Sequence, residues 1–371
     1  MTASPYLPPY LPSEIWTQIF SYVDTPNAAR LVFRHWRALI DPKKHSHDGY
    51  FANLTIFRWY VEEGQAALDK KLMSRCAKMG KIELVKWLRE KGCPWDEWTC
   101  TNAAEGCHLE VLQWAHINGC PWDRRICHYA AKGGHLEVLQ WIRTKCFPPW
   151  RAHTCAYAAK GGHLEIVQWL RSNGCPWNSL TCAWAAENGH LQILQWARAN
   201  SCPWDEMTCN NAAAGGHLDV LTWARGNGCP WSKKTCESAA ENGHMVILKW
   251  ARANGCSWDK WTCNYAARNG HLEVLRWARA NGCPWNEQTC AFAAYGGHLD
   301  ILQWSRANDC PWDEETCYYA AGNGHLHILK WARANGCPWD KWVCIKATKS
   351  KHRHVVQWAH EHGCPCIHNF T

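Results

Sequence analysis

The chain has 371 residues and a net charge of +8, from 40 Lys and Arg against 32 Asp and Glu. Charged residues are 19% and hydrophobic residues 47%, which excludes wholesale disorder and provides for a large core. No apolar run reaches the roughly 20 residues of a membrane helix, and the opening MTASPYLPPYLP lacks the charged-then-apolar order of a secretory signal, so no membrane partner is expected.

In chain order, residues 1–10 are Pro-rich and read as a disordered tail. Residues 11–40 carry two helical patterns. Pro12–Val23 spaces Ile15, Ile19, Phe20 and Val23 along one face, Ala28–Ile40 does the same with Leu31, Val32, Trp36 and Leu39, and Asp24-Thr-Pro-Asn27 is the turn between them. This stretch resembles an F-box. The matching positions are Leu11-Pro12, Glu14-Ile15, Ile19-Phe20, Tyr22-Val23-Asp24, Leu31-Val32, and Trp36 in the place of the family's terminal Trp. It is shorter than the family pattern around Asp24–Val32 and has Phe33-Arg34 where Cys-Arg is common. The resemblance implies docking of a Skp-type adaptor of a cullin ubiquitin ligase through Leu11, Pro12, Ile15, Ile19, Phe20, Val23, Leu31, Val32 and Trp36. Residues 41–57, with DPKKHSHDG, are a polar linker.

From residue 58 to 366 the chain repeats itself. Cys-Pro-Trp begins at Cys93, Cys120, Cys175, Cys202, Cys229, Cys283, Cys310 and Cys337, with Cys-Ser-Trp at Cys256. A second Cys, from Cys100 to Cys344, and a second Trp, from Trp87 to Trp358, recur at the same 27-residue period. One inserted residue near Cys146-Phe-Pro-Pro-Trp150 is the only slip. The units run from 69–95 to 340–366, eleven in all, the first and last degenerate, and 367–371 is a tail.

Within a unit, Asp96, Asp123, Asn178, Asp205, Ser232, Asp259, Asn286, Asp313 and Asp340 stand where a short polar side chain caps a helix, with Arg151 the exception. The first helix then places Cys100, Ala103, Ala104 and Cys107 on one face. Gly-His, as at Gly162-His163, breaks the chain before a second helix with Leu109, Leu112, Trp114 and Ala115 inward and Gly119 and Pro121 ending it. Two short helices bury their apolar faces only by stacking on copies of themselves. The expected fold is therefore all-α, a helix-pair solenoid.

The run Ala158–Gly174, AAKGGHLEIVQWLRSNG, resembles the ankyrin repeat. The unit is shorter than the family's, with the Cys-Pro-Trp connector where ankyrin units carry a β-hairpin finger. The T-P-L-H signature is reduced to Thr99-Cys100. Such Trp- and Cys-rich units resemble those encoded by very large DNA viruses of amoebae and by their hosts.

Twenty-four Cys without a secretory signal point to a reducing compartment, cytoplasmic or nuclear, in the host cell if the chain is viral. The Cys93, Cys100 and His108 spacing is wrong for zinc knuckles, so Cys reads as a small buried residue, reduced and metal-free. Ten equivalent Cys/His copies favour structure over catalysis, and no phosphate loop or carboxylate pair stands out: no catalytic residue, metal or cofactor is assigned. The periodic Trp residues read as core. The Arg row, Arg143, Arg171, Arg198, Arg225, Arg252, Arg279, Arg306 and Arg333, reads as a solvated face rather than a phosphate track.

The framework repeats while one face of the first helix varies. A 100° step from Cys100 puts Trp98, Asn102 and Glu105 opposite the buried side. Across units this face carries Trp98, Tyr129, Tyr157, Trp184, Trp261, Tyr265, Phe292, Glu315, Tyr319 and Trp342, the candidate target-binding residues. Packing of some against the neighbouring unit is the competing reading. The resemblances at the two ends imply an adaptor, monomeric by itself, that joins an unidentified target protein to a Skp–cullin ligase. The rival is a scaffold or sequestering protein with no ubiquitylation role. A nucleic-acid binder with a basic face is the weaker third reading.

Overall fold

The computed structural model describes residues 68–145 and 150–365. The F-box reading of residues 11–40, from Leu11 to Trp36, lies outside them, as do the linker and the tail. All regular structure among the described residues is α-helical, in twenty-two short helices, and no strand occurs. Contacts divide the chain into two compact units, Met1–Pro148 and Pro149–Thr371, and the division falls at the one inserted residue of the repeat.

Each repeat is a helix pair such as Glu97–Glu105 with Leu109–Ile117, or Lys260–Arg268 with Leu272–Ala280. Inside each compact unit, successive first helices pack side by side and each first helix packs on its own second helix. The helices start where short polar side chains can accept an orphan amide. Asp96 accepts from Trp98, Asn178 from Leu180, Asp205 from Met207 and Asp259 from Trp261. Ser232 and Asn286 hold the cap position but make no side-chain cap bond.

The core is a ladder of small residues from first helices and branched ones from second helices. Cys100, Ala103, Ala104, Val111, Leu112 and Ala115 are buried, as are Cys263, Ala266, Ala267, Val274, Leu275 and Ala278. Two expectations are corrected. Cys107 is exposed, with φ of 63°. It follows the end of its helix and takes the left-handed position that Gly occupies in other repeats. Trp114 is only half-buried: Val111, not the Trp, shares the interior with Leu112 and Ala115. The same holds along the row, with Trp87 the buried exception.

The connector replaces the missing hairpin with a thiol. The connector Cys donates its S–H to the carbonyl of its own repeat's cap residue, 24 positions earlier: Cys120 to Asp96 at 3.5 Å, Cys229 to Asp205 at 3.5 Å, Cys337 to Asp313 at 3.4 Å. Contact with the connector thiol, together with burial, holds helix thiols such as Cys263 far above their ordinary 9.0. A reduced state for all cysteines is corrected at one place. Cys344 is disulfide-bonded.

Repeats are joined by the Gly-His turn. His244 Nε2 donates to the carbonyl of Ala214, 30 residues earlier, at 3.1 Å. The ring lies on Gly216, where φ is +83° and a Cβ would meet His244 at 2.8 Å, so both the backbone and the contact require glycine there.

Candidate protein-binding face

The outer, second-helix side is filled by the chain itself. Connector Trp residues meet the next helix Trp edge to face, as in Trp204–Trp223 at 6.0 Å and Trp285–Trp304 at 5.8 Å, with Trp122–Trp141 tilted instead. The Arg two residues after a helix Trp lies over the following connector Trp: Arg198 over Trp204 at 4.2 Å, Arg279 over Trp285 at 4.1 Å, Arg333 over Trp339 at 4.4 Å. The same guanidinium donates from Nη1 to the connector Cys carbonyl, as in Arg198 to Cys202 and Arg333 to Cys337. His replaces this Arg at His116 and His360, and His116 lies tilted against Trp122 at 4.2 Å. The expectation of a solvated Arg face is thereby corrected. From Arg171 to Arg333 the row is half-buried, because the connector folds back beneath it.

The variable face of the first helices is built differently. Each cap fixes the register, so the second and sixth residues after the cap share a side of the helix while Cys and the Ala pair turn inward. In the first compact unit, Trp98 and Tyr129 meet at 5.9 Å. Arg125 covers Trp98 at 4.3 Å and ion-pairs with Glu97 at 2.8 Å and Asp123 at 2.7 Å. In the second, Tyr157 and Trp184 meet edge to face at 5.0 Å, with Lys160 over Trp184 at 5.5 Å.

Further along the second unit the rings merge. Trp261 stacks on Tyr265 at 5.6 Å and reaches Phe292 at 6.0 Å; Phe292 reaches Tyr319 at 6.4 Å. Tyr295 and Tyr318 extend the cluster at 5.7 Å and 5.3 Å from Tyr319. Of the predicted residues, Trp98 and Trp342 are the exposed aromatics, at 37% and 50%; Trp342 stands apart from the cluster, with Lys341 over it at 5.8 Å. Tyr129, Tyr157, Trp184, Trp261, Tyr265, Phe292 and Tyr319 are half-buried, partly by neighbouring rings, and Glu315 is exposed. Tyr295 stands in the third row of the face, the row of Glu105, and the repeat period alone places it there.

The electrostatics of this stretch are acidic on both sides of the rings. Burial and nearby Asp259 push Glu237 above its ordinary range. Burial and the charges of Asp313, Glu314 and Glu287 push Glu315 up. Burial likewise raises Asp313, with Glu314 and Glu287 adding to it. Burial raises the Tyr265 and Tyr319 hydroxyls, helped by Glu237 and Glu315 respectively. Among the described residues no group of three or more His, Cys, Asp or Glu is placed to hold a metal ion.

A comparison with curated proteins finds no match. Residues 100–143, 155–198 and 263–304 match the family model for ankyrin repeats (many copies), and the helix pairs inside and outside those stretches are of one kind, ankyrin-like units in an all-helical form.

Proposed function

We propose that this protein is a non-catalytic adaptor. Its repeat array holds a target protein on the first-helix face, and residues 11–40 act as an F-box that recruits a Skp-type adaptor and its cullin ubiquitin ligase. One observation carries the array's part: a constant framework of Cys, Ala and capping residues presents a face whose residues change from repeat to repeat and are rich in aromatic rings. The F-box part rests on the resemblance of Leu11-Pro12, Ile15, Ile19-Phe20 and Trp36 to that family. Work of this kind places the protein in the cytoplasm or nucleus, of the host cell if the chain is viral. Against a nucleic-acid role, the Arg side chains are engaged by Trp rings and Cys carbonyls.

The test is co-purification of the full chain with a Skp-type adaptor and cullin. Leu11→Ala with Pro12→Ala removes the adaptor and leaves the array folded. Unchanged co-purification, or none from the parent chain, favours a scaffold that works without ubiquitylation.

A further inference from the structure

The aromatic face does not meet charge in one way along its length. Where rings occur earlier, the chain supplies its own cation: Arg125 over Trp98, Lys160 over Trp184. In the stretch 237–319 the pattern reverses. Among the described residues no Lys or Arg lies over Trp261, Tyr265, Phe292 or Tyr319; Arg268 lies over Tyr295 at 4.8 Å and its charge also acts on Tyr265, and Lys346 lies over Tyr318 at 5.3 Å. Carboxylates flank these rings instead. Glu237 and Glu241 interact with Tyr265 on one side; Glu315 and Asp313 interact with Tyr319 on the other, with Glu287 and Glu314 beside them. Among the described residues none of these six acids is in an ion pair, although the charges of Lys233 and Lys234 act on Glu237; Asp259 close by is paired with Lys233 at 2.6 Å. Two acceptors in the same stretch also lack a donor: Glu237 Oε1 and Gln288 Oε1 are buried with no hydrogen-bond partner. A chain of net charge +8 has cations to spend on this face and has placed none on the central rings.

From this combination we infer that the Trp261–Tyr265–Phe292–Tyr319 face takes a basic segment of the partner protein, its Lys or Arg side chains laid on the rings and hydrogen-bonded to the flanking carboxylates. The inference rests on the reading of the first-helix face as the binding surface and adds the partner's chemistry to it. Ring faces attract cations through their quadrupole, an ammonium or guanidinium brings the several donors that orphaned acceptors lack, and complementary charge sets specificity and association rate. A neutral or acidic segment would leave the carboxylates unpaired at a desolvated surface.

The experiment selects from a random peptide library, about twelve residues long, displayed on phage, against the immobilised full chain. Each selected peptide is then measured by fluorescence anisotropy on three proteins: the parent, the triple variant Glu287→Gln, Glu314→Gln, Glu315→Gln, and the double variant Trp261→Ala, Tyr265→Ala. The triple variant keeps side-chain size and relieves mutual repulsion, so its fold is preserved, which circular dichroism checks. The inference predicts selected peptides rich in Lys and Arg that lose at least about tenfold in affinity on both variants. Their affinity on the parent weakens at least about tenfold as salt rises from about 0.01 to about 1 M, where the screening length falls from about 30 to about 3 Å. Peptides that depend on Trp261 and Tyr265 but are neutral or acidic, and indifferent to the triple variant, overturn the basic partner and leave the binding face standing. Peptides indifferent to both variants, or no enrichment at all, overturn the face and the inference together.

Discussion

The thiol of Cys283 donates to the carbonyl oxygen of Asp259 at 3.3 Å, closing one repeat from its connector onto the cap of its own first helix. Asp259 is thus used on both its side chain and its backbone: its carboxylate accepts from the amide of Trp261 and pairs with Lys233, and its carbonyl accepts from Cys283. Ten connector Cys residues, from Cys93 to Cys364, make this contact with their own cap residues. A repeat without a hairpin is held shut by an S–H bond and a buried sulfur.

Cys283→Ala removes that donor and leaves a small void. The expected loss is about 1–2 kcal/mol of unfolding free energy, against a change within about 0.5 kcal/mol for Cys107→Ala at the exposed site. Urea midpoints of the two variants check this. Equal effects would show that the connector sulfur is only a spacer.

Among the described residues, Cys107, Ser201, Asp309 and Lys351 are the non-glycine residues in the left-handed region, at φ of 61–64°. A side chain there costs roughly 1–2 kcal/mol. Cys107→Gly and Ser201→Gly should each stabilise the protein by about 1 kcal/mol, partly offset by the greater entropy of the unfolded chain. Cys107 is also the exposed one of the twenty-one described free thiols, so brief treatment of native protein with a maleimide should label it ahead of the buried ones, as peptide mass spectrometry reads.

Arg279 touches both Trp285 and the Cys283 carbonyl, so Arg279→Ala should cost about 1 kcal/mol of stability. Arg279→Lys should recover only part of it, because an ammonium cannot stack in the plane of the ring. Neither should change retention on heparin or DNA. A large loss of retention with no loss of stability would restore the phosphate-track reading.

His190 and His325 join neighbouring repeats through Nε2, donating to the carbonyls of Lys160 and Tyr295 at 3.3 Å. Burial holds both rings, and that of His108, below the ordinary 6.5. A base whose pKa is lower folded than unfolded binds more protons when unfolded, so stability is full above 6.5 and falls as pH drops through 6.5 toward the folded value. Denaturation midpoints should therefore decline from pH 7.5 to 5.5. His190→Gln with His325→Gln should flatten that decline while lowering the midpoint at pH 7.5. A midpoint that rises over the same acid range contradicts the neutral, donor form of these rings.

Repeat length, the helix pair and its caps were legible because each depends on residues close in sequence. Asp96 and Trp98 are two apart, and Cys100, Ala103 and Ala104 fall on one turn and its neighbour. What escaped depends on closure over longer separations. The Cys283–Asp259 bond spans 24 residues and the His244–Ala214 bond 30. A helical wheel sends Arg279 outward, and only the returning connector brings Trp285 beneath it. Trp114 looks interior by pattern, but a large indole at the edge of a small-residue core finds its partner in Trp95, at 6.0 Å, and stays half-exposed. On the variable face, the opposition of Trp261 and Tyr265 to Cys263 was legible, while their contact with each other and with Phe292 was not. Because the rings are half-buried, Trp261→Ala with Tyr265→Ala should lower stability by about 1–3 kcal/mol rather than leave it unchanged.

Photo-crosslinking from a single position tests the first-helix binding face most directly. A benzophenone amino acid is placed at Phe292, inside the ring cluster, or at Gln303, exposed on the second helix Leu299–Ala307, in the full chain expressed in cells. Recognition along the first-helix face predicts a discrete adduct with a partner protein from position 292, none from 303, and loss of the adduct when Trp261→Ala and Tyr265→Ala are added to a chain that still folds. Adducts from position 303 alone, or an adduct from 292 that survives the double substitution, would place the partner elsewhere and contradict it.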